Sequence, residues 1–307
     1  MSAQHPIIAI TGSSGSGVTF VTRAFEHILW RVRARGVYIQ GNAFHRYDRK
    51  TMREEVARAE KEGRILSHFG PEGNMLDKLE TLFFQYGATG GGQRRYYLHS
   101  REDAEEWGLE PGTFTPWEEL EPESDLLVYK GLHGAAIAGD IDLSRYPDLL
   151  IGVVPNVNLE WIRKISRDTS ERGYSFEEVR RSILRRMPDY VRHITPQFGR
   201  THINFQTIST VDTSDPFNSP YLPTDDESFL VIHFQNCQPP ELGELCRCIP
   251  GAFLSRATTL VVPGGKKMMA MELILAPIVQ KLVDRGRELR GVEPPSAAFR
   301  GGLQGLI

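Results

Sequence analysis

The chain has 307 residues, 36 of them basic and 39 acidic, for a formal net charge of −3. That length suits one large domain or two small ones with a well-buried core, and the near-neutral balance removes the basic excess expected of a protein that binds nucleic acid or a membrane surface. No apolar run approaches the ~20 residues of a membrane helix, MSAQHPIIAIT lacks the charged start and long apolar stretch of a signal peptide, and 3 cysteines make no disulfide scaffold. The expectation is a cytoplasmic globular protein with neither nucleic acid nor membrane as partner.

Residues 7–11 (IIAIT) form a short, continuous apolar run, the mark of a strand buried on both faces. After the Gly/Ser stretch at 12–17, Val21, Ala24, Phe25, Ile28, Leu29 and Val32 recur at helical spacing, and Gly36 is the expected C′ glycine. A second strand is expected at 37–39, and further central parallel strands at 126–129 and 149–154. The charged segment 50–122, helical at first and then rich in Gly and Arg, reads as an insertion at the strand C-termini. Ser175 and Glu178 form a capping box opening a helix that Pro188 kinks or ends. Strands follow at 203–208, 229–234 and 259–262, then an amphipathic helix over 267–290, with a mobile tail expected at 291–307. The pattern predicts an α/β fold with a mostly parallel sheet, flanking helices and added antiparallel edge strands, in one domain over 1–290.

The stretch Gly12, Ser13, Ser14, Gly15, Ser16, Gly17, Val18, Thr19 stands between a strand and a helix. That is the setting of a phosphate-binding loop, whose glycines let backbone N–H groups wrap a phosphate at the positive end of a helix. Thr19 is placed to offer a hydroxyl to Mg²⁺. Val18 occupies the position where a lysine usually reaches the outer phosphates. Cys237, Cys246 and Cys248, with His233 nearby, have the tight Cys-x-Cys spacing of incidental thiols rather than of a zinc site.

Further segments carry a resemblance: GNAFHR at 41–46, YKGLHG at 129–134, NLEWI at 158–162 leading to Lys164, Arg167 and Asp168, TPQF at 195–198, INFQ at 203–206, VDTS at 211–214 and VVPG at 261–264. Over nearly the whole chain these are similar to the proteobacterial phosphoribulokinases, relatives of uridine kinase. The resemblance implies a P-loop kinase fold that moves the γ-phosphoryl of ATP to ribulose 5-phosphate. It places His45, Arg49, Tyr97 and His99 at the sugar phosphate, and Lys164, Arg167 and Asp168 at ATP, the Mg²⁺ ion and the transferring group. It also implies a homo-oligomer responsive to NADH, with Arg185, Arg186 and Arg256 at effector or subunit contacts. Segments 67–72 and 112–117 resemble a branch found in bacteria without the Calvin cycle, which leaves the sugar open.

Against that family pattern, Asn42 stands where an aspartate would accept the proton of the attacking hydroxyl. Lys130 stands where an acid would help to hold the metal, and Gly91 and Gln93 replace two arginines, with Arg94 a possible compensation. An amide is neutral and a very poor proton acceptor, and an ammonium repels Mg²⁺. The main expectation is therefore a phosphoribulokinase-like binder of ATP and sugar phosphate with weakened or lost turnover and weakened Mg²⁺ dependence, a sensor or partner. The alternative is an active kinase acting on ribulose 5-phosphate or a related sugar or nucleoside.

Overall fold

A computed structural model describes residues 4–13, 15–121, 123–219 and 221–292. Ser14 of the loop, and nearly all of the tail expected at 291–307, lie outside the described residues.

The apolar runs become β1 (Ile7–Thr11), β2 (Gly36–Gln40), β3 (Leu126–Gly131), β4 (Leu149–Val154), β5 (Ile203–Ser209), β6 (Ser228–Phe234), β7 (Phe253–Arg256) and β8 (Thr259–Pro263). They form an 8-stranded sheet in the order β7-β8-β6-β5-β4-β1-β3-β2. β1 lies between β3 and β4, and β1 through β5 run parallel to one another. β6, β8 and β7 extend the sheet antiparallel, as the sequence led us to expect.

The helices are α1 (Val18–Val32), α2 (Arg49–Lys61), α3 (Leu76–Thr89), α4 (Arg101–Trp107), α5 (Val157–Ser170), α6 (Phe176–Asp189), α7 (Leu242–Cys248) and α8 (Lys267–Arg290). Side chains alternate across the sheet. On one face Ile8, Ile10, Leu126 and Val128 pack under α1, α7 and α8; on the other Ile7, Ala9, Leu127 and Tyr129 pack under α3. The insertion between β2 and β3 holds α2, α3, α4 and a two-strand ribbon pairing Gln93–Arg94 with Glu118–Glu119.

Two details differ from the expected pattern. α1 ends four residues before Gly36, with Arg33 in the left-handed region at φ 53°, and Gly36 opens β2 instead. The Arg33 carbonyl accepts from Arg287 at 2.8 Å, so a tertiary contact fixes the helix end without a glycine. Beyond α6, which carries Pro188 within its last turn, the chain continues as a π turn at Tyr190–Ile194. The capping box of Ser175 and Glu178 is formed.

Asp125, just before β3, is clamped by the buried Arg287 of α8 through two 2.8 Å hydrogen bonds and also accepts from the Arg35 amide. This pair ties the last helix to the start of the central sheet. Removing one partner of a buried ion pair strands the other charge. We expect Arg287→Met to lower unfolding free energy in urea by about 3 kcal/mol, and addition of Asp125→Asn to recover part of the loss.

Candidate functional site

The register of the parallel strands decides where the loops meet. Thr11 pairs with both Gly131 and Gly152, Gln40 pairs with Lys130, and the Gly12 amide donates to Gly131 at 3.0 Å. β1, β3 and β2 therefore end at one level. A Cβ on Gly41 would lie 2.8 Å from the Gly131 Cα, so only glycines allow these two loops to touch. The phosphate loop and Asn42 thus share one edge of the sheet, two strands apart.

Gly17 caps α1 with φ 109°, a conformation that favours glycine. Ser16 turns the loop by donating to the Ser13 carbonyl at 2.8 Å. The Ser13 side chain is buried, Thr19 is exposed at the loop mouth, and Val18 packs beside the α1 core. A cavity of about 410 Å³ opens here, lined by Ser13 and residues Gly15–Phe20 together with Arg163, Arg167 and Lys267. Arg163 donates to the Gly15 carbonyl at 3.4 Å, and Lys267 pairs with Asp225. Nothing in the sequence flagged Lys267. Arg163 neighbours Lys164 on a helix already singled out, and that placement was the available signal.

Asp168, 4% exposed, is ringed by Lys164, by Arg167 at 2.7 Å and by Arg172 at 3.3 Å. Burial pushes its carboxyl up, but Lys164 and Arg167 outweigh that and hold it below the usual range. Burial, then Arg186, lowers Lys164 to about 8. Glu160, on the same helix, receives the Tyr190 hydroxyl at 3.4 Å, and burial pushes its carboxyl up to about 7.

The residues expected at a sugar phosphate also come together. His45 contacts Asn74 at 2.9 Å and stacks on His68 with ring centroids 3.7 Å apart. Tyr97 meets the His99 ring edge-on at 4.8 Å, and Arg49 donates to the His99 carbonyl at 2.8 Å. The Asn42 amide lies 2.5 Å from His99 Nε2, and its buried Oδ1 has no hydrogen-bond partner among the described residues. His99 is partly open to solvent, and burial of the rest of it, then Arg172 and Arg49, lowers it to about 4. The field of Arg172 links this pocket to the Asp168 cluster. His68 and His133 were not singled out, although His133 contacts the His68 carbonyl at 3.0 Å. Their proximity arises only in the fold.

Arg94, the position offered against the two absent arginines, is engaged within the ribbon. The ribbon sets it opposite Glu118, which it pairs with at 2.8 Å, while Arg95 is occupied by the carbonyls of Ala43 and His45. Lys130 is half-buried at the end of β3. Among the described residues no group of three or more His, Cys, Asp or Glu is placed to enclose a metal by itself; Thr19 and Asp168, the two positions expected at Mg²⁺, lie at the loop mouth and within a ring of cations. Arg185 pairs with Glu60 at 2.6 Å, and Arg186 lies over the Phe69 ring.

A loop of this kind between the first strand and first helix, on a parallel β2-β3-β1-β4-β5 sheet, defines the P-loop kinase fold. The chain belongs to the phosphoribulokinase and uridine kinase family, whose model matches residues 7–214. It is 53% identical over 286 residues to the chromosomal phosphoribulokinase of Cupriavidus necator, covering 93% of this chain and 98% of that one. It is 49% identical over 284 residues to a probable phosphoribulokinase of Escherichia coli, covering 92% and 98%. The solved phosphoribulokinase from Rhodobacter spheroides superposes with a TM-score of 0.85 at 44% identity, over 93% of this chain and 100% of that one. Among the described residues no helix is long and apolar enough to cross a membrane.

The histidine cluster sets a pH dependence of stability. Burial lowers His45 and His133 from 6.5 to about 4, and lowers His68 well below 6.5. Between those values the unfolded chain binds protons that the fold refuses, so stability falls as pH drops through this window. Glu160 has the opposite sign: raised from 4.5 to about 7, it holds a proton in the fold, a contribution lost as pH rises through that range. The histidines outnumber it. The urea midpoint should therefore fall from pH 7 to pH 5, and His133→Gln should flatten the slope.

Proposed function

We propose that this chain transfers the γ-phosphoryl group of ATP to a hydroxyl of a phosphorylated sugar, with ribulose 5-phosphate the first acceptor to test. The observation that carries the reading is the shared sheet edge. There the Gly12–Thr19 loop with its cavity opens two strands from the pocket of His45, Arg49, Tyr97 and His99. Lys164, Arg167 and Arg172 supply positive potential between them. Phosphoryl transfer depends mostly on positioning and electrostatics, so such a site retains the larger part of what the reaction requires. The high identity to named phosphoribulokinases over nearly the full chain supports the same reading.

In this reading the incoming sugar parts Asn42 from His99, so that Asn42 Oδ1, buried and unpartnered among the described residues, turns to accept the hydrogen bond of the attacking hydroxyl while the freed Nε2 of the neutral His99 imidazole takes the proton. Arg49, beside His99, binds the sugar's phosphate. ATP normally arrives with Mg²⁺, which supplies charge neutralisation on its phosphates. The residues here offer it little beyond the Thr19 hydroxyl, so no step is routed through protein-held metal.

A second reading has one observation in its favour: the position nearest the acceptor pocket carries the amide of Asn42 instead of a carboxylate. Loss of a general base costs typically ~10²–10⁴-fold, which would leave a binder of both ligands, a sensor or a partner of other chains. Self-association and a response to a nicotinamide dinucleotide belong to the same proposal.

Steady-state ADP release with ATP and ribulose 5-phosphate separates the readings. Turnover of about 1–100 s⁻¹, abolished by His99→Ala and not raised by Asn42→Asp, supports the active kinase. Turnover orders of magnitude lower, restored about 10²–10⁴-fold by Asn42→Asp, supports the weakened one. In either case Arg49→Ala should weaken binding of the pentose phosphate by about 1.5–3 kcal/mol. An unchanged affinity places the phosphate elsewhere.

A further inference from the structure

Lys130 is the residue that the fold leaves with least explanation. It is half-buried at the end of β3, and among the described residues it makes no ion pair or hydrogen bond. Leu126 and Val128, on its side of the strand, pack under α1, so alternation directs Lys130 toward the face from which α1 and the phosphate loop rise. Its strand partner is Ile10, two residues before Gly12, and Gly131 next to it accepts the Gly12 amide. Burial lowers its pKa, and the Glu26 carboxylate of α1 opposes that through space without approaching to ion-pair distance. A half-desolvated ammonium without a counter-ion is costly unless an anion completes the site.

The other cations around the loop are differently placed. Arg163 is bonded to the Gly15 carbonyl, Arg167 and Lys164 to Asp168, and Lys267 to Asp225, while Arg23 is exposed on α1. Position 18, from which a loop lysine would reach outward, holds a valine whose side chain packs with the α1 core and lies against Gly12. The loop therefore has backbone donors and lacks its mobile cation, while the neighbouring strand has a cation and lacks a partner.

We infer that the Lys130 ammonium takes the charge-neutralising place at the outer phosphates of the nucleotide, from the strand beside the loop instead of from within it, so that the chain binds free nucleoside triphosphate without a divalent cation. The inference deepens the proposed function and rests on its nucleotide reading. A fixed monocation and a protein-held divalent cation compete for the same phosphate oxygens. Lysine acts on phosphate as a flexible point charge, which tolerates this change of anchor.

Calorimetry with ATP, in EDTA and then in Mg²⁺, tests it. The chain should bind ATP in EDTA about as tightly as in Mg²⁺. Lys130→Met should weaken the EDTA affinity about 10- to 100-fold and leave AMP binding unchanged, because AMP lacks the outer phosphates. Lys130→Arg should retain most of the EDTA affinity, and Lys130→Glu should make binding depend on Mg²⁺. Circular dichroism melts establish that each variant folds, with Lys130→Gln as the substitute should Lys130→Met not fold. A strict Mg²⁺ requirement in the unaltered chain, or an EDTA affinity untouched by Lys130→Met, overturns the inference and leaves the nucleotide reading standing. Absence of ATP binding under both conditions overturns the nucleotide reading itself, and the inference with it.

Discussion

The parallel pairing of β1 between β3 and β4 is the constraint on which the remainder depends. Ile7, Ile8, Ala9 and Ile10 are fully buried, and their register with Leu127–Lys130 and Leu149–Ile151 admits no slip without turning apolar side chains out of both core faces. Because β1, β3 and β2 end level, the loops at 12, 131 and 41 are forced together, and the contact between Gly41 and Gly131 closes the distance. Hydrophobic register thus sets the separation between a phosphate loop and the pocket that faces it.

The electrostatics of that edge run against the charge of the whole. A chain with a net charge of −3 lines the cavity at its loop with Arg23, Arg163, Arg167 and Lys267, and sets Lys164 and Arg172 beside Arg167 around Asp168. Asp168 is surrounded by cations, and burial raises Glu160 toward neutrality. The buried His133 and the half-buried His45 and His68 are kept uncharged by the same desolvation. That charge pattern is what the proposed binding of two phosphorylated ligands draws on.

Much of the scaffold was legible in the sequence for local reasons. The buried strands are continuous apolar runs, the loop is a glycine pattern between a strand and a helix, and the α6 start is a capping box whose hydrogen bonds the structure contains. The pairing of Lys164 and Arg172 with Asp168 follows from i, i+4 spacing, while Arg167 reaches the same carboxylate from the adjacent position. The misses concern partners distant in sequence. Arg33 ends α1 because Arg287 holds its carbonyl, so Gly36 was free to begin a strand. Arg94 is drawn to Glu118 by a two-residue ribbon that no periodicity announces. β7 and α7 are short, and the cluster of His45, His68 and His133 joins residues from three separate loops.

The central proposal is that one sheet edge holds nucleotide and sugar phosphate close enough for direct transfer between them. Phosphorus NMR of the chain with ATP and ribulose 5-phosphate, followed to completion, tests this most directly. The account predicts resonances of ADP and a sugar bisphosphate growing together in equal amounts, however slowly, with inorganic phosphate absent. Inorganic phosphate released in place of the bisphosphate, or two fully bound ligands that remain unchanged even with Asp at position 42, would contradict it.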